Sequence, residues 1–420
     1  MEKRERVIQF LKNNYGGDFV VSETPNDNGK YEISSSGTVI LINKDAESLT
    51  TDDFVFTKVN YFNCNFGHSL KSLKGAPQVV ETFDCCNCAS LQSLEGAPNK
   101  TNKFDCSGCK SLESLEGAPK EVNEFYCYDC NSLKTLKGAP LTAKVFDCGM
   151  CVALQSLESA PKMVEMFYCG HCTRLQSLAG APKKVKGFYC YGCDSLQSLE
   201  GAPQEARVFD CSGCVALKTL EDAPKVVETF YCNNCESLQT LKGAPDSTKI
   251  FYCYGCKSLQ TLEGAPKEVE RFDCAGCTSL RSLEGAPKEV KVFYCYDCTR
   301  LQTLEGAPQK TDRFYCHRCS SLQTLKGAPQ KVEKFDCHNC ESLQSLKGAP
   351  ERIIIFDCSG CTSLQTLEGA PKEVTEFYCV DCKSLKSLEG APKKTKNFNY
   401  QGCSSLRAKT NVLKTLKLKF

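Results

Sequence analysis

The stretch FDCSGCKSLESLEGAP, Phe104–Pro119, decides the fold. Twenty-one residues earlier the chain reads FDCCNCASLQSLEGAP, and 21 residues later FYCYDCNSLKTLKGAP. A phenylalanine recurs at this spacing from Phe62 to Phe398, making 17 units without an insertion. The unit reads V-x-x-F-[DY]-C-x-x-C-x-S-L-x-[ST]-L-x-G-A-P-x-x and governs the chain from about Val59 to Leu406. A fixed period in the twenties with apolar anchors belongs to solenoids, where each repeat buries its face on the next. The two or three globular domains usual for 420 residues therefore give way to a single array.

Within the unit, V-x-x-F-x-C places apolar residues on alternate positions around the Phe, the period of a short strand. Gly-Ala-Pro then punctuates it. Gly permits positive φ, Pro fixes φ and lacks an N–H, and the residue before Pro is pushed toward extended backbone. The return arm S-L-x-[ST]-L-x-G-A-P is expected to be extended or 3₁₀, since too few residues remain for an α-helix.

These residues carry a resemblance. Val80-x-x-Phe83-x-Cys85-x-x-Cys88-x-x-Leu91-x-x-Leu94 resembles the leucine-rich repeat L-x-x-L-x-L-x-x-[NC]-x-x-L. The short unit with Pro in its return arm is most similar to the 20-to-21-residue repeats of bacterial leucine-rich-repeat proteins. The resemblance implies an α/β-type solenoid: a right-handed superhelix with a parallel β-sheet on its concave face and mostly extended or 3₁₀ return arms. At ~4.8 Å per rung the array would run roughly 80 Å. Phe replaces the usual Leu at one anchor, and Cys holds the ladder position where Asn is commonest. The resemblance specifies a fold and leaves the partner open.

The 33 cysteines invite a sharper reading. A C-x-x-C that recurs after 17 intervening residues has the form of a zinc site. Four thiolates from adjacent rungs, for example Cys85, Cys88, Cys106 and Cys109, could surround an ion. Pairing each first Cys with the second Cys of the next unit leaves none over, from Cys64–Cys88 to Cys379–Cys403, and only Cys86 stands outside. Periodicity alone produces this match, however, and degenerate end units are ordinary in solenoids. No His column is expected beside the thiols, since His68, His171, His317 and His338 read as scattered. Free Cys behaves as a small buried hydrophobe with a weak S–H donor, and core filling is the reading adopted. No cofactor is expected. Systematic disulfides do not fit a chain without an export signal. Near-identical copies of one thiol do not describe an active site either, so an enzyme is not expected.

Net charge is +2, from 52 basic and 50 acidic residues mixed along the repeat, with pI about 7.6. A nucleic-acid binder would carry a basic excess or stripe. The N-terminus MEKRERVIQFLKNNYGG lacks the apolar core of a signal peptide, and no stretch approaches a membrane span. The expectation is a monomer in a reducing cytoplasm, with no nucleic acid and no membrane; a signal-independent export route stays open.

Partner specificity should lie where the array varies. The residue after Phe is Asp or Tyr in nearly every unit, including Asp105, Tyr126, Asp147, Tyr189, Asp210, Tyr252, Asp273 and Tyr294. The residue after the first Cys adds Tyr128, Tyr191, Tyr254 and Tyr296. Both columns should point outward from the sheet. Tyr offers apolar area with a polar tip and is favoured at protein interfaces, although it also makes good strand cover. These residues are the candidate binding face for a protein partner.

The ends should cap the array. Residues 1–58 read as an N-terminal cap: a helix over Glu5–Asn14, then YEISSSGTVILINK as a β-hairpin turning at Ser-Gly. The array proper spans 59–406, and 407–420, lysine-rich and without Gly-Ala-Pro, reads as a closing turn.

Overall fold

The computed structural model describes residues 2–406, so the closing turn expected over 407–420 lies outside the described residues. The chain divides into two compact units, Met1–Asp210 and Cys211–Phe420. Each is a solenoid of 21-residue coils contributing one short parallel strand per turn. Among the described residues no helix is long and apolar enough to cross a membrane.

Register follows from the repeat. Each strand pairs with its neighbour at a shift of 21, so that Phe83 faces Phe104 and Asp84 faces Asp105 in the first unit, and Phe251 faces Phe272 in the second. Identical side chains therefore stack on themselves. In the first unit the rings from Phe62 to Phe209 lie 5.2–5.6 Å apart between successive rungs, tilted by 2–19°. The second unit repeats this from Phe230 to Phe398 at 5.2–5.5 Å. Near-parallel rings at this spacing are offset stacks, each adding ~0.5–1.5 kcal/mol beyond the area it buries. Behind them Cys85, Cys88, Leu91 and Leu94 are fully buried, as are their counterparts from Cys106 to Leu367, while Leu388, Cys403 and Leu406 at the last coils are half-buried. The core is thus a set of sulfur, Phe and Leu columns.

The return arm consists of turns and extended chain. Two positions in each coil bend it. The Gly of Gly-Ala-Pro has φ of 83–97° wherever Gly is present, and Ser159 and Asp222 take the left-handed region where it is not. Gly is needed for closeness too: a Cβ on Gly264 would lie 2.6 Å from the Lys242 backbone N of the preceding coil. The residue before the second Cys is also left-handed, at Asn87, Asp129, Asn234 and Asp297 but also at Met150 and His171. Gly, Asn, Asp and His are the residues commonest in this region; Met150 stores strain there. Exposed Lys–Glu pairs join successive coils, among them Lys137–Glu116 at 2.8 Å and Lys326–Glu305 at 2.7 Å. Such solvated pairs add little stability each.

The N-terminal segment begins with α1 (Lys3–Asn14), β1 (Tyr15–Gly16), β2 (Val20–Val21), β3 (Tyr31–Leu41) and β4 (Phe54–Asn63). The expected Ser-Gly hairpin is corrected here: YEISSSGTVIL is one strand, β3, pairing in parallel with β4. Gly37 does not enter the left-handed region, and the register slips between Ser35 and Thr38, so Ser-Ser-Gly forms an irregularity in the ladder instead of a turn. The antiparallel partners of β3 are β1 and β2. Phe54, Phe56 and Tyr15 pack toward Phe62, the first ring of the Phe column, with Phe56 and Phe62 5.1 Å apart. Because β4 holds both Phe54 and Phe62, cap and array share a strand.

Candidate functional site

The residues that vary sit on the outward face of the sheets, placed there by the inward columns. With Phe and the first Cys of each rung facing in, the residues after each of them face out. Asp105, Asp147 and Asp210 are half-buried, Asp273 is only 9% exposed, and Tyr126, Tyr189, Tyr252 and Tyr294 are half-buried on the same column. The next column stands higher: Tyr128, Tyr191 and Tyr254 are 42, 39 and 41% exposed, and Tyr296 is half-buried.

The aspartates have a local task that the sequence pattern concealed. Oδ1 of Asp105, Asp147 and Asp273 accepts the backbone N–H two residues on, from Ser107 at 3.0 Å, Gly149 at 2.8 Å and Ala275 at 2.8 Å. This is an Asx turn, which closes the strand into the Cys-x-x-Cys bend. Asn63 and Asn399, at the same column on the first and last rungs, make the same bond. The signal was available as Asn at both ends of an otherwise Asp/Tyr column. Burial pushes the Asp147 carboxyl above the usual aspartate range, and lifts Asp273 to about 6 against the relief of its Ala275 N–H bond.

The tyrosines meet mostly between rungs. Tyr168 stacks on Tyr189 at 4.7 Å and Tyr294 on Tyr315 at 5.1 Å, while Tyr231 and Tyr252 meet at a tilt at 5.7 Å. Within a rung, Tyr294 and Tyr296 meet edge to face at 6.3 Å. Tyr128 leans to the following rung, bonding to Met150 Sδ and lying against Gly149. Tyr191 leans back over Gly170, where an added Cβ would meet its ring at 2.7 Å. Two rings on this face already carry a cation: Lys103 Nζ lies 4.9 Å from the centre of Tyr126 and Lys334 Nζ 5.3 Å from that of Tyr315.

The histidine reading needs correction. His317 and His338 share a column, each following the first Cys of its rung, and their rings stack at 4.4 Å, with Tyr296 4.6 Å from His317. Burial first, and His338 second, hold His317 below the usual imidazole range. Asp336, His338 and Asp357 are the one group of three metal-capable side chains within 4.8 Å of one another among the described residues. Asp336 Oδ1 is engaged there by both His338 Nδ1 at 2.6 Å and the His338 N–H at 3.2 Å.

The cysteines realise the expected pairing by different chemistry. Cys88 Sγ donates to the carbonyl of Cys64 at 3.2 Å, Cys109 to that of Cys85 at 3.2 Å, and Cys403 to that of Cys379 at 3.1 Å. Each second thiol thus bonds the backbone of the preceding rung, the place of an Asn ladder. First-column thiols join in: Cys106 Sγ donates to Tyr126 O at 3.3 Å. Burial, then neighbouring thiols, hold Cys85 and Cys106 well above the usual thiol range. Metal ligation and nucleophilic attack require thiolate, which burial disfavours at Cys85 and Cys106, whereas at the end of the array hydrogen bonds from Cys379 and Cys382 favour it at Cys403. Cys86 is half-buried, with its N–H on Asp84 Oδ1 at 2.9 Å.

Against known proteins, the chain matches no family model and no curated protein. Among solved structures it is similar to a leucine-rich repeat protein from Bacteroides ovatus, with 16% identity and a TM-score of 0.40 over 93% of this chain and 92% of that one.

Proposed function

We propose that the protein is a non-enzymatic scaffold that holds a protein partner on the outward face of its sheets, the concave face of the leucine-rich pattern. One observation carries the reading: that face exposes Tyr128, Tyr191 and Tyr254 above a half-buried Asp/Tyr column, while the inward columns are spent on packing. Rigid aromatic anchors with polar tips lose little side-chain entropy on binding and are favoured at interfaces. The buried thiols, bonded to carbonyls of the preceding rung, support a structural use of the cysteines.

Affinity capture with the wild-type chain and a variant carrying Tyr189→Ala, Tyr191→Ala, Tyr252→Ala and Tyr254→Ala tests this. A partner retained by the former and released by the latter, with both folded by circular dichroism, supports it. Partners that bind both alike, or none at all, leave a passive rod and refute the scaffold.

A further inference from the structure

The five rungs from Phe125 to Phe209 differ chemically from the rest of the outward face. Three outward positions flank each rung there: the residue before Phe, the residue after it, and the residue after the first Cys. None of these positions is Lys or Arg on those rungs, and they include the acids Glu124, Asp147 and Asp210. In the second unit the position before Phe is instead cationic at Arg271, Arg313 and Lys334. Lys103, on the preceding rung, lies over Tyr126 at the edge of this stretch, and Lys186 within it is paired with Glu165 at 2.7 Å. At these three outward positions the stretch is therefore an acidic, aromatic surface.

Its centre has a defined shape. Gly149 and Gly170 follow the first Cys on adjacent rungs and give the surface a floor without side chains. Tyr128 leans onto this floor from the preceding rung and Tyr191 from the following one. Asp147 lies beside it: a Cβ on Gly149 would come 3.1 Å from Asp147 Oδ1 and 3.3 Å from Tyr128 Cδ2. Asp147 Oδ1 accepts the Gly149 N–H at 2.8 Å. Tyr168 occupies the next place in the Asp147 column.

We propose that Asp147, flanked by Tyr128, Tyr168 and Tyr191, seats an arginine side chain presented by a basic segment of the partner protein. This rests on the scaffold reading above and deepens it. A guanidinium is planar, stacks on phenol rings and donates to a carboxylate, so it uses both elements of the site. The sheet already shows that its tyrosines accept cations, because Lys103 lies over Tyr126 and Lys334 over Tyr315. A carboxylate stripped of water is relieved by an incoming cation, and the rings that cover the two glycines stand beside it.

Fluorescence anisotropy of the intact chain with fluorescein-labelled tetra-arginine amide tests the site, with tetra-lysine, tetra-glutamate and spermine as competitors. Unlabelled tetra-arginine should compete best, tetra-lysine less well, and tetra-glutamate not at all. Spermine, which brings charge without a planar fork, should compete at least ~10-fold more weakly than tetra-arginine. Asp147→Asn keeps the turn bond and removes the charge, and should weaken binding by roughly 10-fold. Tyr128→Ala with Tyr191→Ala should weaken it by roughly 3- to 30-fold. Glu116→Gln, on the return arm, should change nothing. Absence of tetra-arginine binding, equal competition by spermine, or binding indifferent to Asp147→Asn overturns the proposal. If a captured partner depends on Tyr252 and Tyr254 but not on Asp147, the scaffold stands and the arginine seat falls.

Discussion

Asp273→Asn should stabilise the protein, and the reason is visible in its surroundings. The residue is 9% exposed, and burial raises its carboxyl from the ordinary 3.8 to about 6. A folded-state value above the unfolded one means that the native chain binds the proton more tightly. Stability is therefore greatest below pH ~3.8, falls as pH rises through the window from 3.8 to about 6, and is level above it. At 1.36 kcal/mol per tenfold change in proton affinity, holding the charge at pH 7 costs up to about 3 kcal/mol. Asn keeps an oxygen for the Ala275 N–H, now accepted at 2.8 Å, and removes the charge. Asn63 and Asn399 show that the column accepts Asn in that role. The variant should gain about 1–3 kcal/mol at pH 7 and little at pH 4. Repeat arrays need not unfold in one step, so a local readout is preferable: hydrogen exchange at the Cys253 and Ala275 amides, at pH 4 through 8. A difference between wild type and variant that stays constant over that range, or an Asn variant less stable throughout, refutes the reasoning.

Other expectations follow from the coil. Gly264→Ala should cost about 2–4 kcal/mol, because φ of 87° is strained for alanine and its Cβ would meet Lys242 backbone at 2.6 Å; a loss below 1 kcal/mol by local hydrogen exchange would show that the coils can spread. Alkylation with mass mapping should label Cys403 and Cys86 in the native protein and all 33 thiols after denaturation, since these two are the cysteines not buried. Cys403 should react first, because hydrogen bonds from Cys379 and Cys382 lower its proton affinity while burial and nearby aspartates raise that of Cys86. Native labelling of Cys106 or Cys109 at a comparable rate would contradict the closed sulfur columns.

The coil was legible because its causes are local and repeated. A period of 21, one Phe, two Cys and two Leu per unit leave few ways to bury the apolar residues, and the register of Phe83 on Phe104 follows. What escaped reading depended on backbone conformation. Ser36–Gly37 looked like a hairpin turn, yet a continuous neighbour, β4, offered more ladder than a turn would have. The left-handed residue inside Cys-x-x-Cys was signalled by frequent Asn, Asp and Gly at that position but hidden by Met150 and His171. The His317–His338 stack was a matter of counting: both follow the first Cys, and a shift of 21 places their rings face to face. The thiol pairing was found by arithmetic, but its chemistry, S–H to carbonyl, needed the third dimension.

The aspartate column joins stability to function. If closing the turn were its whole task, Asn would serve on every rung, as it does on the first and last, without the cost of a buried charge. The middle rungs instead keep Asp at seven positions, from Asp84 to Asp357, and put Tyr on the others. A tyrosine cannot make that Asx bond, so the turn alone does not choose between the two residue types. What Asp and Tyr share is an affinity for cations, one by charge and the other by its ring face. An outward column restricted to these two types, kept at a cost in stability at Asp273, is what the arginine seat proposed above would require. The inward sulfur, Phe and Leu columns hold that surface at a fixed rung spacing.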